Sequence, residues 1–315
     1  MFLMFWMKII HECVVVFLSL TKYEILSTVV DVGSLTKAAT LLGLTQSAVS
    51  HAISSLEIEW GFSLLIRDRS GIRITSNGER VLKHIRNILQ NNEQLKQEVA
   101  AINGLNVGTI RIGTFTSVST QWLPGIIKDF QFHYPSIQIK LVEADHYYEI
   151  EQWLQEGSID FGFLATPFSK SLEFIPLKKD RIRCVLSSNH PLSGKSVISF
   201  EDIKNQPFIM PKWGTGNDFP ILLKKQNESL QVKYEVADDQ AIISMVRHGL
   251  GITILPEMVL YNLLNDITVI DLEEDYYRTI GITALSFQKL SPAAKQFIKS
   301  VRSWLRQQML LDYDN

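Results

Sequence analysis

Residues 33–57 read GSLTKAATLLGLTQSAVSHAISSLE, and the fold of the N-terminal region can be predicted from this segment. Ser34 and Thr45 are each placed to cap a helix, and Gly43 separates the two helices as a turn. Helical spacing divides the second helix into an apolar side and a side of short polar residues. The pattern therefore predicts a helix-turn-helix whose second helix packs on one face and leaves the other face open.

The open face of this second helix is polar throughout. Its residues are Gln46, Ser47, Ser50, His51 and Ser54. Side chains of this kind can reach base edges in the DNA major groove, and a glutamine amide pairs with adenine through two hydrogen bonds. The solvated face of an ordinary helix has a similar composition, but the helix-turn-helix context favours DNA binding.

A short β-hairpin is predicted next, over residues 64–75 with its turn near Gly71. Three arginines surround that turn: Arg67, Arg69 and Arg73. On a wing beside a helix-turn-helix, such side chains would hold phosphates. These contacts would set binding register and salt dependence but not sequence choice.

Two S/T-x-x-E capping boxes, Thr21–Glu24 and Ser76–Glu79, predict two further helix starts. The first helix runs to about Val32 and completes a winged domain over residues 21–78. The second runs without a proline to about Ile102.

Apolar residues on this long helix follow alternating steps of three and four. With one asparagine included, the seam consists of Val81, Ile85, Ile88, Asn92, Leu95, Val99 and Ile102. Such a heptad seam predicts a two-helix dimer contact, in which a single asparagine fixes register and partner number at some cost in stability. Packing within its own chain is the alternative. Residues 79–107 thus form a dimerisation helix and a hinge at Asn103–Gly104.

From residue 108 the pattern changes to alternating strands and helices, which predicts an α/β domain with parallel strands. Two such series follow each other, which indicates two lobes with a cleft at their junction. The expected first lobe covers about residues 108–181 and 286–310, and the second covers about residues 182–285. A last helix, Ser291–Gln308, is expected to return to the first lobe.

Composition narrows the function classes. The net charge is −2 and the pI is about 6.4, so any DNA-binding surface must be local. Cys13 and Cys184 lie far apart, so neither a disulfide framework nor a metal site is expected, and a reducing cytoplasm fits best. The sequence has no P-loop, no G-x-G-x-x-G after a strand and no G-x-S-x-G, so neither a cofactor nor an enzymatic activity is expected.

Residues 1–20 read MFLMFWMKIIHECVVVFLSL and are strongly apolar. Lys8, His11 and Glu12 interrupt the run, which fits neither a secretory signal nor a membrane span. We interpret most of this segment as the product of a start codon assigned too far upstream, with translation beginning near Val14 to Val16. An amphipathic, membrane-touching extension is the alternative.

Residues 33–57, followed by Gly61, Leu64 and residues 74–79, resemble the DNA-binding domain of the LysR family of transcriptional regulators almost residue for residue. Leu65 stands where that family usually places phenylalanine, a change expected to alter wing packing slightly. By position, the resemblance implies that Gln46, Ser47, Ser50 and His51 face bases or nearby backbone. It implies phosphate contacts for Thr36, Lys37, Arg67, Arg69 and Arg73.

The C-terminal two thirds resemble the LysR effector-binding domain, itself similar to type 2 periplasmic solute-binding proteins. The matching pieces are Gly113, residues 122–124 (WLP), 134–135 (YP), 157–162 (GSIDFG), 190–192 (HPL) and 249–256 (GLGITILP). The implied fold class is α/β with an all-α N-terminal part. It comprises a winged helix-turn-helix, a long dimerisation helix and a bilobal effector domain over residues 108–310.

Candidate effector contacts come from both lobes, because ligands of open α/β sheets sit at the carboxyl ends of strands. They are Thr114, Thr116 and Ser117 from the first lobe, and Lys212, Trp213, Thr215, Asp239 and Thr253 from the second. Several of these residues have a structural alternative, since hydroxyl and carboxylate groups near a helix start also cap helices. Trp213 could stack on a planar ligand and Lys212 could pair with a carboxylate, so a carboxylate metabolite is one candidate effector.

The resemblance implies a regulator whose effector favours one lobe arrangement and so changes the geometry of paired DNA-binding domains. Its partners would be a double-stranded, pseudo-palindromic DNA operator, the effector, RNA polymerase and further copies of the chain in a homodimer or homotetramer. The setting would be the cytoplasm, without stable membrane association. A solute-binding transport component is the alternative that the apolar start and the two lobes suggest, and residues 21–102 argue against it.

Overall fold

The computed structural model describes residues 20–68, 71–103, 106–166, 168–169, 171–211, 230–261, 263 and 265–313. The chain divides into two compact units. The first consists of the residues up to Val99 together with Gln155–Ser158, and the second contains the rest. Among the described residues, no helix is long and apolar enough to cross a membrane. The interpretation that translation begins near Val14 to Val16 concerns residues 1–19, which lie outside the described residues.

The first unit contains the predicted helix-turn-helix, hairpin and long helix. Its elements are α1 (residues 20–32), α2 (Leu35–Leu42), α3 (Gln46–Trp60), β1 (Leu65–Asp68), β2 (Gly71–Ile74) and α4 (Ser76–Ile102). As predicted, the Ser34 hydroxyl caps α2 by accepting from the Lys37 amide, and the Thr45 hydroxyl caps α3 by accepting from the Ala48 amide. One apolar core joins the helices to the hairpin, and the family-atypical Leu65 is buried in it.

Both capping boxes were misplaced. Residue 20 is already helical, so Thr21 lies inside α1 and does not begin it. At α4 the cap is Thr75, whose hydroxyl accepts from the Gly78 amide at 3.0 Å and donates to the Ser63 carbonyl at 2.8 Å. Thr75 therefore connects the hairpin to the long helix, a role that Ser76, one residue later, does not have.

The second unit is a mixed α/β domain. Its strands are β3 (Gly108–Thr114), β4 (Ile137–Glu143), β5 (Phe161–Ala165), β6 (Glu173–Ser187), β7 (Val197–Ile198), β8 (Pro207–Pro211), β9 (Gln231–Val236), β10 (Thr253–Pro256), β11 (Ile267–Leu272) and β12 (Tyr277–Ala284). Its helices are α5 (Thr116–Gln121), α6 (Leu123–His133), α7 (Tyr147–Glu156), α8 (Phe200–Ile203), α9 (Asp239–Arg247) and α10 (Pro292–Gln307), with a 3₁₀ turn at Glu257–Val259. The strand order is β4-β3-β5-β12-β6-β11-β7, and β10 also pairs with β6.

The predicted parallel arrangement is confirmed for the first three strands of this sheet and does not extend to the whole of it. Strands β4, β3 and β5 run parallel, whereas β12 is antiparallel to both β5 and β6. The two-stranded pairing of β8 with β9 is parallel. The sheet is therefore mixed, because the chain re-enters its first part from the opposite direction through β12.

Strand β6 belongs to both lobes. Its first half, up to Arg181, pairs with β12, and its second half pairs with β10 and β11. Because β12 lies beside β5, it belongs to the first lobe, and the expected lobe boundary at residues 285/286 is wrong. The chain returns to the first lobe near Tyr277. The predicted return of the last helix is confirmed, since Phe297 and Val301 of α10 lie in the same core as β3 and β5.

Candidate functional site

The recognition helix α3 presents the predicted polar face. Val49, Ile53 and Leu56 are buried on its inner side. On the outer side Gln46, Ser47 and His51 are exposed, whereas Ser50 and Ser54 are half-buried. The structure thus brings the five predicted residues together on one surface of one helix. Thr36 and Lys37 are exposed in the first turn of α2.

The wing arginine Arg67 contacts the recognition helix directly. Its guanidinium donates to the Ser50 hydroxyl at 3.2 Å. A guanidinium can only donate, so the Ser50 oxygen is the acceptor and its own hydrogen remains available to a second acceptor. Sequence reasoning assigned Ser50 to bases and Arg67 to phosphates as separate roles, but the structure couples the two side chains.

The remaining wing arginines do not share that position. In the antiparallel register of β1 and β2, Arg67 lies opposite Ile72 and Arg73 lies opposite Ile66. Neighbouring positions on a strand point to opposite faces, so Arg67 and Arg73 extend from opposite faces of the hairpin. Arg67 shares its face with the buried Leu65, which directs it towards α3. Arg69 lies outside the described residues.

The long helix α4 carries an exposed apolar stripe. Ile85 is buried in the core of the first unit and Val81 packs against that core, so these two seam positions are used within the chain. The next members are exposed to solvent: Ile88 by 44%, Leu95 by 63%, Val99 by 50% and Ile102 by 78%. Asn92 is half-buried between them. The seam therefore divides into an intramolecular beginning and an apolar remainder that is exposed in the single chain.

The predicted hydroxyl cluster after β3 has three different environments. Thr114 is fully buried and its hydroxyl accepts from the Ser119 hydroxyl at 3.3 Å. Thr116 is exposed in the first turn of α5. Ser117 is 4% exposed and its hydroxyl accepts from Arg278 at 2.9 Å. Among these residues, Thr116 and Ser117 keep the potential to contact a ligand.

Arg278 is the charged residue that sequence reasoning missed at this site. It is 7% exposed, and it donates to Asp180 at 2.8 Å, to the Tyr147 hydroxyl at 2.6 Å and to Ser117. Its guanidinium also lies over the Phe115 ring, 5.3 Å from the centroid. The available signal was an arginine in the otherwise uncharged strand YRTIGITA, because buried charges occur in pairs or at functional sites.

Neighbouring charges keep Arg278 ionised. Burial by itself would lower its pKa, but Tyr147, Asp180 and Asp239 more than offset that effect, so the pKa lies above its ordinary value. Asp239 of the second lobe thus lies within electrostatic reach of a first-lobe strand. The residue preceding it, Asp238, caps α9 by accepting from the Ala241 amide at 2.7 Å. The helix cap expected as the alternative role of a carboxylate at this helix start is therefore supplied by Asp238, and the candidate Asp239 is the first residue of α9.

The remaining second-lobe candidates for effector contacts are Thr253, which is buried, and three residues that the structure does not describe. Thr253 is fully buried in β10, and its hydroxyl donates to the Ile209 carbonyl at 2.8 Å. This hydroxyl ties two strands of the second lobe together, so its assignment as an effector contact is corrected. Lys212, Trp213 and Thr215 lie outside the described residues. Among the residues that the structure describes, no group of three His, Cys, Asp or Glu side chains is placed to hold a metal ion.

Two family models match the chain. The model described as "Bacterial regulatory helix-turn-helix protein, lysR family" matches residues 20–79, and the model described as "LysR substrate binding domain" matches residues 103–306. These ranges cover the helix-turn-helix and the mixed α/β domain.

Curated relatives match over nearly their whole length. The HTH-type transcriptional regulator YvbU of Bacillus subtilis is 35% identical, with 90% of this chain and 98% of the relative covered. The probable HTH-type transcriptional regulator LrrA of Synechococcus elongatus is 32% identical, with 90% and 97% covered.

Solved structures agree in fold. A full-length OxyR variant of Pseudomonas aeruginosa superposes with a TM-score of 0.74 at 20% identity, covering 94% of this chain and 98% of that one. HinK of the same organism gives a TM-score of 0.57 at 22% identity, covering 91% and 98%. The relatives are transcriptional regulators, and the two matched domains account for most of the sequence. The chain therefore belongs to the LysR family of helix-turn-helix transcriptional regulators.

Proposed function

We propose that this protein recognises a specific operator with the α3 face, as a dimer joined through α4, and that a small molecule bound in the C-terminal domain modulates it. The observation that carries this proposal is the α3 surface, where five polar residues stand on one face and Arg67 orients Ser50. An ordinary solvated helix has no need of a wing arginine bonded to its polar face.

The proposed DNA-binding residues form two groups, one that contacts bases of the operator and one that contacts its phosphates. Gln46, Ser47, Ser50 and His51 are the residues we assign to base edges, with Ser54 at the margin. Thr36, Lys37, Arg67, Arg69 and Arg73 are those we assign to phosphates. Because the net charge of the chain is −2, attraction to DNA must come from these local groups, and binding will weaken as salt rises.

Dimerisation through the exposed part of the α4 stripe would bring two recognition helices to one operator. Exposed apolar residues in a row mark an interaction surface, and their heptad spacing is that of a helix pair. A twofold dimer would read a pseudo-palindromic site. Assembly of two dimers into a homotetramer and contact with RNA polymerase are further steps of the same proposal, with the cytoplasm as the setting.

The effector site that we propose lies at the start of α5. Ser117 accepts from Arg278, so its own hydroxyl hydrogen can be donated to a ligand, and Thr116 offers a second, exposed hydroxyl. A ligand with acceptor oxygens, such as a carboxylate, suits these donors. Asp239 of the second lobe, whose charge contributes to the raised pKa of Arg278, would link the ligand to the second lobe.

The test of this function is a mobility-shift titration with DNA that flanks the gene of the protein, using unrelated DNA as competitor. Specific retention is expected, with a footprint that displays twofold symmetry. Equal binding of both DNAs at every salt concentration would contradict sequence-specific reading by α3. Assays for turnover of any bound metabolite are expected to find none.

A further inference from the structure

The 3₁₀ turn at Glu257–Val259 belongs to the second lobe by sequence but reaches into the first. It follows β10, which pairs with the second half of β6. Met258 at its centre is 4% exposed and lies in the first-lobe core, whereas the next residue, Val259, lies in a second-lobe core. One turn of chain is therefore shared between the two lobes.

Backbone groups of Met258 are also held. The Met258 amide donates to the Asp180 carboxylate at 2.9 Å, and the Met258 carbonyl accepts from the Gln121 side-chain amide. Asp180 is fully buried in β6, and Gln121 ends α5 in the first lobe. The Met258 side chain thus packs in the first-lobe core, and its N–H and carbonyl form hydrogen bonds with Asp180 and Gln121.

Asp180 joins this turn to the start of α5, where the proposed effector site lies. Its other carboxylate oxygen accepts from Arg278, its direct partner across the β6–β12 ladder. Arg278 then donates to Ser117 and to Tyr147. An unbroken path of hydrogen bonds therefore runs from the Ser117 hydroxyl through Arg278 and Asp180 to the Met258 amide.

We propose that Arg278 is a positioning residue that couples Ser117, at the start of α5, to the Met258 turn, so that a change at the start of α5 alters how firmly the second lobe is held to the first. The inference rests on the proposed function only in identifying the start of α5 as the effector site. Arginine suits this task because its planar fork reaches three partners at once, whereas lysine is a single point charge. Lysine at this position would keep the charge beside Asp180 and lose the fork.

The test follows hydrogen exchange of the peptide covering residues 254–260 in the full-length protein by mass spectrometry, without DNA or ligand. We expect R278K to speed exchange there by about ten-fold, the scale of one hydrogen bond to a charged group, although Arg278 does not bond to Met258. S117A should speed it in the same direction by a smaller factor. The double variant should match R278K, since both changes interrupt one path.

The matched control is D160N. Asp160 is also a buried carboxylate, 9% exposed, that accepts from a backbone amide, that of Arg111 at 2.7 Å, and pairs with the Arg111 side chain. These partners lie in the first lobe, so D160N should leave exchange at residues 254–260 unchanged. Exchange within α10, residues 292–307, serves as the internal reference for general loosening.

Unchanged exchange at residues 254–260 in R278K would overturn the inference, as would an equal increase in D160N. If R278K does not fold, S117A decides alone, because losing one hydroxyl is a small change, and an unaltered Met258 peptide would then overturn the coupling. Operator binding is measured separately, so loss of the proposed function and loss of this inference give different results.

Discussion

Replacing Leu95 with alanine removes a large apolar side chain from the middle of the exposed α4 stripe. Leu95 is 63% exposed in the single chain. Complete burial of such a side chain is worth about 1.5–3 kcal/mol, so covering the exposed part contributes about 1–2 kcal/mol. A twofold contact contains the residue twice, and the loss becomes about 2–4 kcal/mol for each dimer. At about 1.4 kcal/mol for each factor of ten, the dimer dissociation constant should rise about thirty- to several hundred-fold.

Sedimentation velocity over a dilution series measures this constant directly. Lys83→Ala is the control, because Lys83 is exposed on the same helix but lies off the stripe. The control tests whether any change of helix surface weakens association. An unchanged dissociation constant for Leu95→Ala, alongside an unchanged control, would refute the dimer seam.

Three further predictions concern single residues. Ser50→Ala should relax base discrimination by about 1–3 kcal/mol. Arg67→Ala should weaken binding to all sequences and also relax base discrimination, because Arg67 orients Ser50. Competitive mobility shifts measure both effects, and full discrimination by Arg67→Ala would contradict the coupling. Gly78→Ala should lower the stability to thermal unfolding by about 1–3 kcal/mol, since the added Cβ would lie 2.5 Å from the Leu64 carbonyl oxygen. Gly194→Ala is the control and should have little effect, because a Cβ there would have nothing within 4 Å. Equal melting temperatures of the two variants would contradict this packing. Burial raises the pKa of the Cys184 thiol to about 12, so at about pH 8 iodoacetamide should label Cys184 only after the protein has been denatured. Peptide mass spectrometry measures this labelling. Equally fast labelling of the native protein would show that the thiol is accessible.

Local signals in the sequence predicted the helix-turn-helix correctly. Ser34 and Thr45 cap α2 and α3 as expected, because an N-cap depends on the few residues that follow it. The same type of signal failed at Thr75, where two adjacent residues both have a suitable hydroxyl. The hairpin decided between them, since Thr75 also donates to Ser63, twelve residues earlier. A cap that is chosen by a contact at this distance is not contained in the S/T-x-x-E pattern.

Strand partners were harder to predict than strands. The antiparallel pairing of β6 with β12 joins residues about a hundred positions apart. Periodicity reports which residues are buried and says nothing about which strand lies alongside. The expected lobe boundary was therefore placed after β12, although pairing with β5 puts this strand in the first lobe. Opposite orientations of Arg67 and Arg73 likewise follow from hairpin register, which the arginine spacing alone did not supply.

The candidate effector site shows the same division between local and distant information. Ser117 could be proposed from sequence because a hydroxyl after a β-strand and at the start of a helix is a local pattern. Its proposed use depends on Arg278, 161 residues later, whose donation to the Ser117 oxygen leaves the hydroxyl hydrogen available to another acceptor. Without that guanidinium the hydroxyl could serve only as an ordinary helix-start group. A charged residue within an apolar strand is therefore the sequence feature to follow in such domains: its buried charge requires partners, and those partners reveal which parts of the chain meet.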